Sequence, residues 1–318
     1  MSNSDLETLV GHSAAVMAAL GSGLLRALYD APVSVETAST QLGLDHRAVA
    51  RLLEVLESMG VAAREAGGFR MAPRHREVVP QIPASLEGMD RLWSQLPRYL
   101  VEGKALLVQP TAAKRGPVYS KVVDQLATLF AKGAENLAAS LDAPCRRVLD
   151  VGAGSGVWTL AMAARDPSLQ VVALDRPEVL PCFLERARSL GLEERVELIE
   201  ADYHQVRWRE LEFDRVVLAN VLHLEHEAEA AALVRGAASA LTPGGQLVTV
   251  DAFPSDALEQ RQSYDLYRLH LAMRTGGRRA HAEGRIRDWY REAGLEAAPL
   301  LRVDPARPEL GALVAVTP

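Results

Sequence analysis

The sequence predicts an α/β protein in which a doubly wound parallel sheet follows an N-terminal helical domain. Three observations support this prediction. Apolar runs typical of buried strands alternate with helical stretches from Cys145 onward, the glycine-rich segment "GAGSG" follows the first run, and residues 1–80 repeat apolar side chains at spacings of three and four. Strands that alternate with helices favour right-handed crossovers, which place the strands parallel in one sheet.

Length and composition indicate a globular protein of two domains. The chain has 318 residues, of which 48% are apolar, with a mean hydropathy near zero and a formal net charge of −6. Domains commonly contain about 100–200 residues, so two cores are expected. The negative charge gives no electrostatic reason to expect nucleic acid or an anionic membrane as a partner.

The sequence also predicts a cytoplasmic protein. The N-terminus has no basic segment followed by an apolar stretch, and no run reaches the roughly 18 apolar residues that a membrane span needs. Cys145 and Cys182 are too few for a disulfide framework and lack the spacing of metal ligands. We therefore expect both thiols to be reduced.

Residues 1–80 are predicted to form a winged-helix-like domain. The segment "SVETASTQLGLDHRAVARLLEVLESMGV" predicts two helices separated by Gly43, with Ser34 and Asp45 as their N-caps. The segment "VAAREAGGFRMAP" predicts a two-stranded hairpin that turns at Gly67-Gly68. Because the second helix is net negative, we expect a packing or dimerisation role. A metabolite-sensing DNA-binding regulator is the alternative.

Residues 81–143 are predicted to be a helical connector that forms a wall over a substrate site. Aromatic and apolar residues compatible with a phenol, a polyketide or a macrocycle occur there and towards the C-terminus, although ordinary packing explains each one singly. The pocket candidates are Trp93, Tyr99, Phe130, Tyr264, Tyr267, His270 and Met273. Tyr267 and His270 stand three residues apart, so one face of a helix can present both.

Residues 144–318 are predicted to form the sheet domain. Strands are expected in "RRVLDVGAGSG", "LQVVALD", "RVELIEAD", "FDRVVLANVLH" and "GGQLVTVDAF", with a closing pair in "PLLRVDPARPELGALVAVTP". Helices are expected between them, including "AEAAALVRGAASALTPGG", which Pro243-Gly244-Gly245 would end.

The turn after the first strand carries the first indication of a ligand. Gly152, Gly154 and Gly156 allow the backbone to approach a ligand closely. A dinucleotide fingerprint would require glycine at position 157, where this chain has Val157. Asp150 precedes the glycines, and an acidic residue suits an amine-bearing ligand better than a pyrophosphate. These features favour S-adenosylmethionine, which has a sulfonium and an ammonium but no phosphate.

Two further carboxylates follow the next two strands. Asp175 ends the second strand, where it can accept hydrogen bonds from ribose hydroxyls, and Asp202 ends the third, within reach of an adenine amino group. Tyr203 would cover the adenine ring. Each aspartate alone is explained equally well as a helix cap. Three carboxylates at successive strand ends favour a cofactor site, because doubly wound sheets bind ligands along that edge.

A series of motifs resembles one known family. "RVLDVGAGSG", "ALDRPEV", "EADYH", "ANVLH", "TPGGQLVTVDAFPSD" and "GGRRAHAEGRIRDWYREAGL" resemble, in order and spacing, the plant caffeate-type O-methyltransferases and their bacterial natural-product relatives. The resemblance implies a Rossmann-like sheet with S-adenosylmethionine as methyl donor, Asn220 among the cofactor-binding residues, and a small-molecule acceptor. It also implies an N-terminal domain that forms a homodimer.

The resemblance also implies a catalytic pair. His223 stands at the histidine of the family's "LHDWxDE" segment, which is the general base, and Asp251 stands where an acid orients that imidazole. A neutral imidazole with an ordinary pKa of about 6.5 is suited to accepting a hydroxyl proton. The carboxylate would keep the other ring nitrogen protonated.

The chain departs from the family's pattern in two segments. "HDW" is replaced by His223-Leu224-Glu225, so the tryptophan that helps close the site is missing. In "GGRRAHA", Arg279 stands where the family has a second acid, and His281 follows nearby. These departures leave open an alternative in which S-adenosylmethionine is retained for N- or C-methylation, hydroxylation, elimination or rearrangement.

A metal site in "VLHLEHE" is a further alternative. His223, His226 and Glu227 have none of the usual zinc spacings, so no metal is expected. Glu225, His226 and Glu227 are instead predicted to form the polar opening of a helix, where an acid is favourable. His204 is predicted to be a loop residue at the cofactor rim.

Overall fold

The computed structural model describes residues 3–78, 89–104, 112–254, 257–275 and 280–317. The chain divides into two compact units, Met1–Arg98 and Tyr99–Pro318. The three-part division that the sequence predicts, with its dimerisation and connector roles, stays a prediction.

The first unit contains six helices and a hairpin among its described residues. They are α1 (Asn3–Gly21), α2 (Leu24–Asp30), α3 (Val35–Leu42), α4 (His46–Ser58), β1 (Ala62–Glu65), β2 (Gly68–Met71), α5 (Pro73–Val78) and α6 (Met89–Trp93). A seventh helix, α7 (Leu96–Glu102), begins in this unit and ends in the next. An N-terminal helical region, as predicted, is therefore confirmed.

Local sequence signals place α3, α4 and the hairpin. The Ser34 and Asp45 side chains accept hydrogen bonds from backbone N–H groups in the first turns of α3 and α4, which confirms both predicted caps. In the hairpin, Glu65 pairs with Gly68, so the turn lies at residues 66–67, one position before the predicted turn. Gly68 adopts a φ of 140° close to the backbone of Val33, a position that only glycine fits.

The second unit alternates strands and helices. It contains α8 (Ala112–Ser140), β3 (Arg147–Val151), α9 (Val157–Arg165), β4 (Gln170–Asp175), α10 (Leu180–Ser189), β5 (Val196–Glu200), β6 (Phe213–Ala219), α11 (Glu227–Ser239), β7 (Leu241–Ala252), α12 (Leu258–Thr275), α13 (Glu283–Glu292), β8 (Glu296–Ala297), β9 (Leu301–Arg302) and β10 (Leu310–Val316). Short 3₁₀ turns occur at residues 193–195, 203–205, 208–210 and 222–224.

The sheet has the doubly wound order that the sequence predicts. Its strands lie in the order β5-β4-β3-β6-β7-β10-β8, and β9 pairs with β10. Strands β3 to β7 are parallel, whereas β8, β9 and β10 are antiparallel to their neighbours, as expected for a closing pair. Buried residues of α8, α9 and α10 pack on one face, and those of α11 and α13 pack on the other. The α/β fold class is confirmed, and the carboxyl ends of β3 to β7 meet at one edge.

The start of β7 differs from the prediction. Helix α11 ends at Ser239, before the Pro-Gly-Gly tripeptide, and β7 has already begun at Leu241. Phe213 of β6 pairs with Leu241 and Arg215 pairs with Gln246, so the tripeptide lies in an irregular excursion of the strand. Gly244, with a φ of 75°, permits that excursion. The prediction that Pro243-Gly244-Gly245 ends the helix is therefore wrong.

Among the described residues, no single helix is both long and apolar enough to cross a membrane. The bent pair Asp5–Gly21 and Leu24–Asp30, which meet at 73°, has sufficient length and apolar composition only when the two helices are taken together.

Candidate active site

The glycine turn lies between the end of β3 and the start of α9. Gly152, Gly154 and Gly156 have φ values of 64°, 55° and 70°, which side chains rarely tolerate. A Cβ at Gly152 would lie 2.8 Å from Val221, and one at Gly156 would overlap the buried ring of Phe183. The turn therefore needs glycine at positions 152 and 156, because its backbone packs closely against Val221 and Phe183.

Asp150 lies within β3, immediately before this turn. It is fully buried, and the Thr159 hydroxyl donates a hydrogen bond to Oδ2 at 2.5 Å. Burial is the main cause that raises the pKa of Asp150 to about 7; the Thr159 hydrogen bond opposes this rise, and the charge of Asp175 adds a smaller contribution to it. An ammonium group close to Asp150 would favour its ionised form, so this position suits a cationic ligand.

The carboxylate of Asp175 joins the end of β4 to the glycine turn. Its Oδ2 accepts a hydrogen bond from Gly154 N at 2.9 Å, and its Oδ1 accepts one from Arg176 N at 2.7 Å. Burial raises the pKa of this carboxyl. Because each carboxylate oxygen has a second lone pair, Asp175 can still accept ribose hydroxyls, as predicted from the sequence.

The end of β5 carries Asp202 and Tyr203. Asp202 Oδ1 accepts a hydrogen bond from His204 N, and Oδ2 lies 3.7 Å from a guanidinium nitrogen of Arg176. The Tyr203 hydroxyl donates to Glu225 Oε1 at 2.6 Å. A Cβ at Gly152 would lie 3.8 Å from Tyr203 Cε1, so the ring lies beside the glycine turn.

Asn220 follows the last residue of β6. Its φ of 58° makes it the one non-glycine residue with positive φ in the described part of the chain. Its backbone N–H donates to Val250 O at 2.8 Å, which holds the turn against β7. Left-handed asparagines of this kind are frequent at functional sites, so the conformation agrees with the predicted cofactor role.

His223 and Asp251 form a buried pair at the ends of β6 and β7. Nδ1 of His223 lies 2.9 Å from Asp251 Oδ1, and the two side chains are 9% and 2% exposed. Asp251 Oδ1 also accepts a hydrogen bond from Ala252 N at 2.8 Å. Because a carboxylate only accepts, Nδ1 carries the proton, which leaves Nε2 of the neutral ring with a free lone pair.

Tyr267 of α12 approaches the same histidine. Its hydroxyl lies 3.3 Å from His223 Nδ1, and the two rings meet edge to face with their centroids 6.0 Å apart. Burial, followed by the charge of Asp251, raises the pKa of Tyr267 well above its ordinary value. Tyr267 therefore stays protonated and contacts the His223–Asp251 pair.

His281 holds the 3₁₀ turn that carries His223. Its Nε2 lies 3.0 Å from Leu222 O and must be protonated, because a carbonyl oxygen only accepts. The imidazole is buried and packs edge to face on Trp289, with centroids 4.9 Å apart. Arg279, which the sequence comparison places at the missing acid, lies outside the described residues.

The remaining pocket candidates occupy different environments. Trp93 belongs to the first unit, and Tyr99 begins the second. Phe130 packs into the core beside Trp158, and Met273 is fully buried. On α12, by contrast, His270 shares the helical face of Tyr267, and burial lowers the pKa of His270 to about 4, so its imidazole is neutral. Tyr264 is buried against Ala252 and Ala280 and partly covered by Tyr267.

The contacts of Glu225 and His281 were not predicted from the sequence. Glu225 was predicted to open a helix, but α11 begins at Glu227, and the Glu225 side chain contacts Tyr203 and His204. No role was predicted for His281, which contacts the carbonyl oxygen of Leu222. Both residues lie in the segments that depart from the family's pattern, "HLE" and "AHA". This departure marks the two positions, but it does not identify contact partners that are distant in sequence. The described residues include no group of three or more His, Cys, Asp or Glu side chains that could hold a metal ion.

The chain is similar in sequence to known methyltransferases. The family model described as "Methyltransferase domain" matches residues 148–245. The 3-hydroxy-5-methyl-1-naphthoate 3-O-methyltransferase of Streptomyces sahachiroi is 25% identical over 94% of this chain and 90% of its own length. Aclacinomycin 10-hydroxylase RdmB of Streptomyces purpurascens is 33% identical, over 33% of this chain and 28% of its own.

A solved structure matches nearly the whole chain. Human N-acetylserotonin methyltransferase in complex with SAM superposes with a TM-score of 0.75 and 18% identity, covering 98% of this chain and 94% of the human one. At this identity the match concerns the fold, which includes both the sheet and the N-terminal helical region.

The glycine turn provides a stability test. Gly156→Ala should lower the free energy of unfolding by about 2–5 kcal/mol, because left-handed strain adds to overlap with Phe183. Gly191→Ala is the matched control, since Gly191 has a φ of 65° but open space around it, and should cost only about 1–2 kcal/mol. Equal losses in urea denaturation would contradict the close packing of the turn.

The buried carboxyl of Asp150 provides a pH test. Its folded-state pKa of about 7 exceeds the value of 3.8 for an unperturbed group. As pH rises, the Asp150 carboxyl therefore loses its proton in the unfolded chain before it does so in the folded chain. The free energy of unfolding falls as pH rises from about 4 to about 7. Asp150→Asn should gain stability relative to wild type by a few kcal/mol between about pH 4 and pH 8. A difference that stays constant with pH in urea denaturation would contradict the burial.

Proposed function

We propose that this chain, which is similar to S-adenosylmethionine-dependent O-methyltransferases, methylates a hydroxyl of an aromatic or polyketide-like natural product. The observation that carries this proposal is the buried His223–Asp251 pair at the sheet edge. The pair leaves Nε2 as the one ring nitrogen able to accept a proton. His223 is therefore proposed as the general base and Asp251 as the residue that orients it.

The residues at the sheet edge fit the cofactor. A Cβ at position 152 or 156 would clash with Val221 or Phe183, so the shape of the turn that borders the proposed site depends on glycine. We propose that this turn, with Asp150, Asp175 and Asp202, holds the amine, ribose and adenine groups, and that Tyr203 and Asn220 border them. No phosphate-binding cation is needed, because S-adenosylmethionine has no phosphate.

The protein's own residues are proposed to accept the proton of the acceptor and to align the acceptor with the methyl group. When bound, S-adenosylmethionine would supply an electrophilic methyl group, whose bond to sulfur breaks as the acceptor oxygen bonds to the carbon, so that S-adenosylhomocysteine leaves. His223 Nε2 would accept the hydroxyl proton of the acceptor. Asp251 stabilises the imidazolium that results, because its carboxylate accepts the Nδ1–H bond. Holding the two reactants in line provides much of the acceleration in a reaction of this kind.

The acceptor proposal rests on α12 and on the relatives. Tyr267, His270 and Met273 lie on this helix, and Tyr267 contacts the proposed base. The relative that matches over 94% of this chain is named for a hydroxylated naphthoate. We therefore propose a phenolic acceptor bound beside α12, with 3-hydroxy-5-methyl-1-naphthoate as the first compound to test.

A reaction without methyl transfer is the second candidate. It is favoured by the 33% identity to a hydroxylase over one third of this chain. The two candidates differ in product, because only methyl transfer converts S-adenosylmethionine to S-adenosylhomocysteine in proportion to acceptor consumed.

Homodimerisation through the N-terminal unit is also proposed. The first turns of α1 expose three large apolar side chains, Leu6, Leu9 and Val10, which are 49%, 55% and 61% exposed. A second copy of the chain would cover them favourably, because their burial removes apolar surface from water.

The base assignment predicts a separation of turnover from cofactor binding. His223→Ala should lower kcat with a phenolic acceptor by about 100-fold or more, since general base catalysis contributes about 10²–10⁴-fold. Affinity for S-adenosylhomocysteine should be unchanged. His226→Ala is the matched control, because His226 is exposed three residues away and should leave kcat intact. Unaltered turnover in His223→Ala would contradict the assignment.

The Tyr267 contact predicts a smaller effect on turnover. Tyr267→Phe removes only the hydroxyl next to His223 Nδ1, so kcat should fall by about three- to tenfold while cofactor affinity stays constant. Tyr264→Phe, one turn earlier on the same helix and buried, should change kcat less than about twofold. Equal effects of the two substitutions would show that the Tyr267 hydroxyl does not act on the base.

A further inference from the structure

Glu225 connects two loops at the cofactor edge of the site. It lies between the 3₁₀ turn of His223 and the start of α11, and its side chain is only 11% exposed. Oε1 accepts a hydrogen bond from the Tyr203 hydroxyl at 2.6 Å, and Oε2 lies 3.2 Å from His204 Nε2. Both partners belong to the loop after β5, whereas Glu225 belongs to the loop after β6.

Glu225 holds the hydroxyl end of Tyr203. Asp202 caps the 3₁₀ turn that carries this residue, and the ring packs against the apolar core and the His204 imidazole. Its hydroxyl donates a hydrogen bond to Glu225. Burial and the neighbouring Glu225 raise the pKa of Tyr203, so its hydroxyl remains a donor. A short hydrogen bond to a largely buried carboxylate is stronger than one between neutral groups.

The bond spans the glycine turn. Strands β5 and β6 are separated in the sheet by β4 and β3, and the glycine turn follows β3. The Tyr203 ring lies close to Gly152, and Val221 approaches the same glycine from the loop after β6. Glu225 therefore fixes the Tyr203 ring over the edge where the cofactor is proposed to lie.

We propose that Glu225 is a positioning residue for S-adenosylmethionine, which holds Tyr203 in the orientation that binds the cofactor. Glu225 stands at the position of the family's tryptophan. In this chain, Tyr203, held by its hydrogen bond to Glu225, would cover the cofactor in place of that tryptophan. The proposal rests on the cofactor-binding part of the proposed function. It is independent of His223 and of the acceptor, because it concerns binding before any methyl transfer.

Calorimetric titration of the full chain with S-adenosylhomocysteine tests this proposal without turnover. Glu225→Leu and Tyr203→Phe should each weaken binding by about five- to twentyfold, since each removes the charged hydrogen bond. The double variant should bind no more weakly than the worse single variant, because both changes remove the same interaction. Glu225→Gln should retain affinity within about threefold, because its amide oxygen still accepts from Tyr203.

Glu227→Leu is the matched control. It makes the same chemical change two residues away, at an acid that pairs with Arg285 of α13, and should leave affinity unchanged. Circular dichroism verifies that each variant folds. If Glu225→Leu does not fold, the comparison of Tyr203→Phe with Glu225→Gln still tests the proposal.

Wild-type affinity in Tyr203→Phe, or additive losses in the double variant, would overturn the proposal. His223→Ala separates it from the base assignment, because that variant alters turnover and not binding.

Discussion

The hydrogen bond between His223 Nδ1 and Asp251 Oδ1 is the interaction on which the proposed chemistry depends. It exists because β6 and β7 are adjacent and parallel, so the residues after one and at the end of the other meet at the same edge. Burial of both side chains keeps water from competing for this bond. The turn held by His281 and the hydroxyl of Tyr267 then limit how the imidazole can move.

Much of this arrangement was predictable from local patterns. Apolar runs predict the strands. Because the carboxyl ends of parallel strands meet at one edge of the sheet, Asp150, Asp175 and Asp202 are expected at that edge without any knowledge of side-chain packing. The role of Glu225 was not predictable, because its partner Tyr203 lies 22 residues away on a different loop. The excursion at Pro243-Gly244-Gly245 was missed for a similar reason, since pairing with β6 overrides the helix-ending signal.

The contacts of His223 and Glu225 explain what the "HLE" segment does where it departs from the family's pattern. Its histidine contacts Asp251 and its glutamate contacts Tyr203, so one short segment reaches both the proposed catalytic pair and the proposed cofactor edge. Under this proposal, a substitution at position 223 alters turnover, whereas one at position 225 alters cofactor binding.

The protonation state of His223 in the resting protein tests the central claim most directly. Long-range ¹H–¹⁵N correlation spectra of histidine-labelled protein, assigned with a His223→Gln variant, distinguish a protonated from an unprotonated ring nitrogen. The account predicts hydrogen on Nδ1 and a bare Nε2, because Asp251 accepts from Nδ1. Hydrogen on Nε2 would contradict it, since that nitrogen then has no lone pair with which to accept the acceptor's proton.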